Sequence, residues 1–200
     1  MSARDVVIIE SGGANIASLQ YAIERLGVAS SVSADATRIR GASHVILPGV
    51  GAAANAMQRL RTAQLERVIP ELTQPVLGIC LGMQLLHDSS AEGSTSCLGI
   101  VPGRAERFAN APGLPVPHIG WNTLAIGAPS ALLEGLGNGE YAYFVHSFAL
   151  PLGLATVATT VYGRAFSACV QWRNFFGAQF HPERSAAVGA RLLQNFLHLQ

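Results

Sequence analysis

Cys80 lies in the run Pro75-Val-Leu-Gly-Ile-Cys80-Leu-Gly-Met-Gln84, where apolar residues lead into a glycine, a cysteine and a second glycine. Gly78-Ile79-Cys80-Leu81-Gly82 has the G-x-S-x-G spacing of a nucleophile elbow, with cysteine in place of serine. The glycines permit a sharp turn from strand to helix. Such a turn lifts the thiol out of the sheet and sets it at a helix N-terminus. There, free N–H groups and the helix dipole favour the thiolate.

A reactive thiol needs a base, and Phe180-His181-Pro182-Glu183 supplies one. Pro182 fixes its own φ and favours an extended residue before it. In an extended segment residues i and i+2 project to the same side. Glu183 is therefore expected beside His181, accepting its N–H and setting its tautomer, with the other ring nitrogen free to face the thiol. Nucleophile, base and orienter together make a catalytic triad. Each half alone has a plain explanation: a buried cysteine beside a tight turn, and a surface His-Pro-Glu turn. Their joint presence favours the catalytic reading.

Pro48-Gly49-Val50-Gly51 follows a strand-like run, and glycines there let the backbone approach a ligand closely. The spacing is not that of a phosphate loop and no lysine follows, which excludes a nucleotide triphosphate. A donor loop for an oxyanion fits better. Cys97 and Cys169 read as structural, and His44, His87 and His198 as surface or satisfied histidines. His118 and His146 lie in strand-like segments. No cluster has metal-ligand spacing.

These groups must be positioned by the rest of the chain. Val6–Glu10 reads as a buried strand. Asn15 is placed to cap a helix carrying Ile16, Leu19, Ile23 and Leu26, closed by Gly27. Strands are expected at 28–33, 44–48 and 75–79, and an alanine-rich helix over 52–65. Strands alternating with helices imply a parallel sheet covered on both faces. The second half reads as strands at 104–108, 116–126, 141–150, 155–162 and 165–179, with hairpin turns near Tyr162-Gly163 and Arg173-Asn174. A last helix from about Ser185 carries Val188, Leu192, Phe196 and Leu199 on one face. The expected class is α/β: a mostly parallel central sheet flanked by helices, with an antiparallel extension.

The 200 residues suffice for one sizeable core and are read as a single domain, 1–200. Half of the residues are hydrophobic and 12% charged, against roughly 25% charged in an ordinary soluble domain. With so few charges to cover the surface, a partner that hides part of it is expected. The net charge is +1 without acidic or basic blocks, so neither nucleic acid nor an anionic membrane is an expected partner. No apolar run is long enough to span a bilayer. An odd count of three cysteines without C-x-x-C argues against a disulfide framework or zinc site and for a reduced, cytoplasmic protein.

Gly78-Ile-Cys80-Leu-Gly-Met-Gln84 together with Phe180-His181-Pro-Glu183 resembles the class I glutamine amidotransferases. Pro117-His118-Ile-Gly-Trp121-Asn122, Tyr143-Phe-Val-His146-Ser147-Phe148 and His181-Pro-Glu-Arg184-Ser185 narrow the resemblance to the glutaminase subunits of imidazole glycerol phosphate synthase, over essentially the whole chain. The resemblance implies that Cys80 forms a glutamyl thioester, with His181 as acid and base and Glu183 as orienter. It implies oxyanion donors at Val50, Gly51 and Leu81. Glutamine would be held by Gly49, Gly51, Gln84, Glu92, His146 and Ser147. It implies no cofactor. Ammonia would pass to a cyclase subunit with a β/α barrel, in a heterodimer serving histidine biosynthesis, with Asn15, Trp121, Tyr143 and Arg184 near the interface. The chain departs from the family pattern at Glu10-Ser11 and Ala14, and carries Arg184 and Phe148 where lysine and tyrosine are common.

Three rivals stand beside this reading. The glutaminase subunit of pyridoxal phosphate synthase shares the triad, but Gly120-Trp121-Asn122 and Val145-His146-Ser147 argue against it. A catalytically silent binding subunit on the same fold is opposed by the intact triad residues. A cysteine peptidase is disfavoured by the His-Pro-Glu spacing.

Overall fold

The computed structural model describes residues 4–11 and 16–200. The expected cap Asn15 lies outside the described residues. The first half runs β1 (Val6–Ile9), α1 (Ile16–Glu24), β2 (Ser30–Ser33), α2 (Ala36–Gly41), β3 (His44–Gly49), α3 (Ala53–Thr62), α4 (Leu65–Val68), β4 (Val76–Cys80) and α5 (Leu81–Leu85). There follow β5 (His87–Ser90), β6 (Thr95–Ser96), β7 (Val101–Arg107), β8 (His118–Thr123), β9 (Ala125–Ile126), β10 (Tyr141–His146), β11 (Phe148–Ala149), β12 (Thr156–Tyr162), β13 (Arg164–Trp172), β14 (Phe175–Ala178) and α6 (Ala186–His198).

Eight strands form the central sheet in the order β2-β1-β3-β4-β14-β13-β12-β9. The pairs from β2 to β14 are parallel, and those from β14 to β9 are antiparallel. This is the expected mostly parallel sheet with an antiparallel extension. Every residue of β1, β3 and β4 is buried, as continuous apolar runs in a sheet covered on both faces must be. Ile8, Ile46, Leu77 and Ile79 pack on one side with α1 and with Leu192 and Phe196 of α6. Val7, Ile9, Val45 and Leu47 pack on the other with Met57, Leu60 and Leu65. The two faces alternate along each strand because side chains do.

The two expected hairpins form: β12 and β13 join at Gly163, and β13 and β14 at Arg173-Asn174. The expected helix over 52–65 ends earlier, at Thr62, because Gln64 takes a left-handed conformation (φ 58°) that breaks it from α4. The expected strand 141–150 is two strands in two sheets. β10 pairs with β8, while β11 joins β7 in a four-stranded sheet with β5 and β6. The segment 116–126 divides in the same way, its β9 crossing to the edge of the central sheet.

Candidate active site

β4 ends in a strained turn. Cys80 has φ 53° and ψ −112°, a backbone conformation that costs a non-glycine residue energy and is stored at sites where a side chain must be aimed. The neighbouring strand β3 lies so close to the turn that only glycine fits at Gly49 and Gly82. A Cβ on Gly82 would sit 1.8 Å from the Leu47 carbonyl oxygen, and one on Gly49 would sit 2.7 Å from the Gly82 nitrogen. β3 and the elbow therefore touch backbone to backbone. The helix that follows Cys80 has only five residues. Its effect on the sulfur comes from unpaired N–H groups of the first turn, Leu81 included, more than from a long macrodipole.

His181 reaches the same place from β14. That strand is parallel to β4, with Ala178 beside Ile79, so the chain leaving β14 emerges beside Cys80. The His181 N–H donates to the Tyr143 carbonyl at 3.0 Å. Its Nδ1 donates to Glu183 Oε1 at 2.9 Å. The contact is the expected one, but the backbone makes it differently: Pro182–Arg184 is a tight 3-10 turn, not an extended run. Burial alone would lower the His181 pKa; hydrogen bonding to the Cys80 sulfur and to Glu183, and their charges, raise it to about 10. The imidazolium form of His181 is thus favoured.

One cavity of about 380 Å³ is lined by Val50, Gly51, Cys80, Leu81, Gln84, Glu92, His146, Ser147, His181, Glu183 and Arg184, and closed by Pro117, Val145 and Phe148. Among the described residues, the N–H groups of Val50 and Gly51 have no backbone acceptor. Glu92 Oε2 accepts from the Ala53 N–H at 2.7 Å, capping α3 from outside, since Ala52 offers no side-chain cap. Gln84 spends both side-chain hydrogens inside the protein, on the Phe148 carbonyl (2.8 Å) and Gln179 Oε1 (3.0 Å). Its carbonyl oxygen remains for a ligand.

Two expected substrate contacts offer no free side-chain group to the cavity. Gly49 sits behind it, pressed on Leu81 and Gly82. His146 borders it, but both ring nitrogens are engaged: Nδ1 with the Phe148 carbonyl at 2.8 Å and Nε2 with His118 Nδ1 at 3.1 Å. A carbonyl only accepts, so His146 carries its proton on Nδ1 and accepts at Nε2 from His118. His118 Nε2 in turn accepts from Asn122 Nδ2 at 3.4 Å. Burial lowers both histidines, His118 to about 4 and His146 to about 3, and both are neutral. Sequence reasoning alone assigns no role to His118 or Gln179. The available signal is a polar residue inside an apolar run: Gln179 in Phe175-Phe-Gly-Ala-Gln179-Phe180, and His118 next to Ile119.

Trp121 and Tyr143 form a second feature outside the cavity, joined to it by Arg184, which lines both. Trp121 and Tyr143 face each other across the β8–β10 pair, ring centroids 5.8 Å apart. The Arg184 guanidinium lies 4.6 Å from the Tyr143 ring centre. Ile119, Trp121 and Tyr141 are 60%, 52% and 58% exposed, an apolar face on a ribbon whose other side carries His118 and His146. Cys169 is fully buried and Cys97 partly so, and burial raises both thiols, Cys97 to about 11. Among the described residues no group of His, Cys, Asp and Glu is placed to hold a metal ion, and no helix is long and apolar enough to cross a membrane.

The family model for glutamine amidotransferase class-I matches residues 7–199. The chain belongs to the class-I glutamine amidotransferase family. The imidazole glycerol phosphate synthase subunit HisH of Xanthomonas euvesicatoria pv. vesicatoria is 52% identical over 195 residues, covering 98% of both chains. The protein of the same name from Idiomarina loihiensis is 49% identical over the same length and coverage. Among solved structures, a glutamine amidotransferase (22% identical, TM-score 0.74, 96% of each chain) shares the fold. So does a glutamine amidotransferase of Thermotoga maritima (19% identical, TM-score 0.67, 98% of this chain and 81% of that one). This amidotransferase thus has close relatives of one name and more distant neighbours of one fold.

Proposed function

We propose that this chain, over residues 1–200, is the glutaminase subunit of imidazole glycerol phosphate synthase, hydrolysing glutamine to glutamate and ammonia. The observation that carries the reading is the meeting of Cys80, in its strained elbow, with the His181–Glu183 pair in one cavity. The names of the relatives favour it over the glutaminase of pyridoxal phosphate synthase.

The Cys80 thiolate attacks the side-chain amide carbon. The oxyanion takes N–H groups of Leu81 and of the Val50-Gly51 loop, each worth about 3–4 kcal/mol when well aimed. His181 gives its proton to the leaving nitrogen, ammonia departs, and a glutamyl thioester remains. His181 then takes a proton from water, whose oxygen attacks the thioester; glutamate leaves and the thiolate returns. Glu183 holds His181 in the tautomer both steps need. Glu92 and the Gln84 carbonyl suit the ammonium of the substrate, and Ser147 a polar end; His146 acts through its fixed ring and backbone.

The ammonia serves a cyclase partner, a β/α barrel, in a cytoplasmic heterodimer. The exposed Ile119–Trp121–Tyr141 face supports an interface there, with Tyr143 and Arg184 beside it. The Tyr143 carbonyl also holds the His181 N–H, so this strand is bonded to the base. Asn15 is assigned to the same interface on the resemblance alone. The test is glutamine hydrolysis by Cys80→Ala assembled with the cyclase: assembly without hydrolysis is expected, and retained hydrolysis refutes the triad.

A further inference from the structure

Gln179 follows β14 directly and is fully buried. The β4–β14 register, with Ala178 beside Ile79, brings the next rung to Gln179 beside Cys80. Its Nε2 lies 3.7 Å from the Cys80 sulfur, within reach of an N–H···S hydrogen bond.

The direction of that bond is imposed from a distance. The Phe148 carbonyl oxygen can only accept, so it takes the Gln84 amide nitrogen. The second hydrogen of that nitrogen goes to Gln179 Oε1. With its oxygen engaged, Gln179 can present only its NH2 group to the sulfur. The same Phe148 oxygen accepts from His146 Nδ1, which anchors the network from the other side.

The sulfur is pulled both ways. The Val145 carbonyl, 3.8 Å away, accepts from the thiol and so favours the neutral form. A side-chain N–H favours the thiolate, because a donor to the charged form lowers its free energy. We propose that Gln179 belongs to the catalytic machinery: its side-chain N–H, aimed by Gln84, holds the Cys80 sulfur as a thiolate against the Val145 carbonyl. The proposal rests on Cys80 being the nucleophile. The titratable groups facing the same cavity are Glu92, His146, His181, Glu183 and Arg184, and the Gln179 side chain bonds none of them, only Gln84 and Cys80.

The test is alkylation of the full chain by iodoacetamide across pH, with Cys80, Cys97 and Cys169 resolved by peptide mass. In Gln179→Met the lower midpoint of Cys80 labelling is expected to rise by about one pH unit. With the cyclase bound, kcat/KM for glutamine is expected to fall about tenfold, in kcat. Glutamine affinity, measured in the Cys80→Ala background, changes less than about twofold. An unchanged midpoint, or a loss confined to KM, overturns the proposal. If Gln179→Met does not fold, Gln84→Met, which keeps Gln179 but frees its amide to rotate, is expected to raise the midpoint as well, and an unchanged midpoint there overturns it. Labelling of Cys80 in the unchanged chain should abolish hydrolysis. If it does not, the nucleophile assignment fails, while the midpoint still reports what Gln179 does to the sulfur.

Discussion

His118 donates from Nδ1 to His146 Nε2 across 3.1 Å, and both rings are neutral. His118 lies between two other rings, 4.0 Å from Tyr162 and 5.2 Å from Phe144 by centroids. The pair is a fixed polar seam through an aromatic cluster beneath the cavity. In His118→Phe the stacking survives but the His146 acceptor loses its donor. A buried acceptor without a partner costs about 1–3 kcal/mol, so the melting temperature should fall by roughly 2–12 °C. A variant that melts like the parent would mean the donor contributes nothing.

The dependence of stability on pH should peak near pH 6.5. His87, His118 and His146 have folded pKa values of about 4, about 4 and about 3, below the ordinary 6.5. Between those values the unfolded chain binds more protons, so stability falls as pH drops from 6.5 towards 4. His181 has the opposite sign: at about 10 its folded pKa is raised, so its contribution is whole below 6.5 and is lost as pH rises towards 10. Thermal melts from pH 4.5 to 9.5 read both arms, and a melting temperature rising steadily from pH 6.5 to 9 contradicts the second.

Glu183→Gln keeps the size of the side chain but removes the charge that supports the His181 imidazolium. Turnover should fall by roughly a hundredfold or more. Steady-state kinetics check this, and near-native turnover would leave Glu183 only a structural part.

Gly82→Ala should be far more damaging than its size suggests, since the added Cβ meets the Leu47 carbonyl oxygen at 1.8 Å. Backbone must move against backbone, and a loss of about 3 kcal/mol or more is expected. A denaturant midpoint within experimental error of the parent would show that the elbow can relax.

Trp121→Ala should weaken association with the cyclase by about 2 kcal/mol, roughly 30-fold, as loss of an aromatic anchor does, while the isolated chain melts as before. Titration of the cyclase by calorimetry decides it. Unchanged affinity would move the interface away from the β8–β10 ribbon.

Much of this was legible in the sequence. The elbow and Phe180-His181-Pro182-Glu183 carry strong local signals, because glycine and proline restrict or free the backbone in ways that do not depend on distant contacts. The fully apolar runs of β1, β3 and β4 announced a sheet buried on both faces. Less was legible where partners are remote. That segment 141–150 divides between two sheets at Ser147 follows from pairing with β8 and β7, not from its own residues. That His146 has no nitrogen for a ligand follows from His118, 28 residues earlier. Gln179 reads as one polar residue in a strand, and its orientation is set by Gln84 on another element.

Cys80 and Gln179 are 99 residues apart in the chain, yet they stand side by side because β4 and β14 share one ladder. In refolding, that long-range pairing carries a large loop-closure cost, so the competent site is expected among the later features to be completed. Recovery of hydrolysis after dilution from denaturant is therefore a clock for the finished sheet, and should lag behind the return of helical circular dichroism.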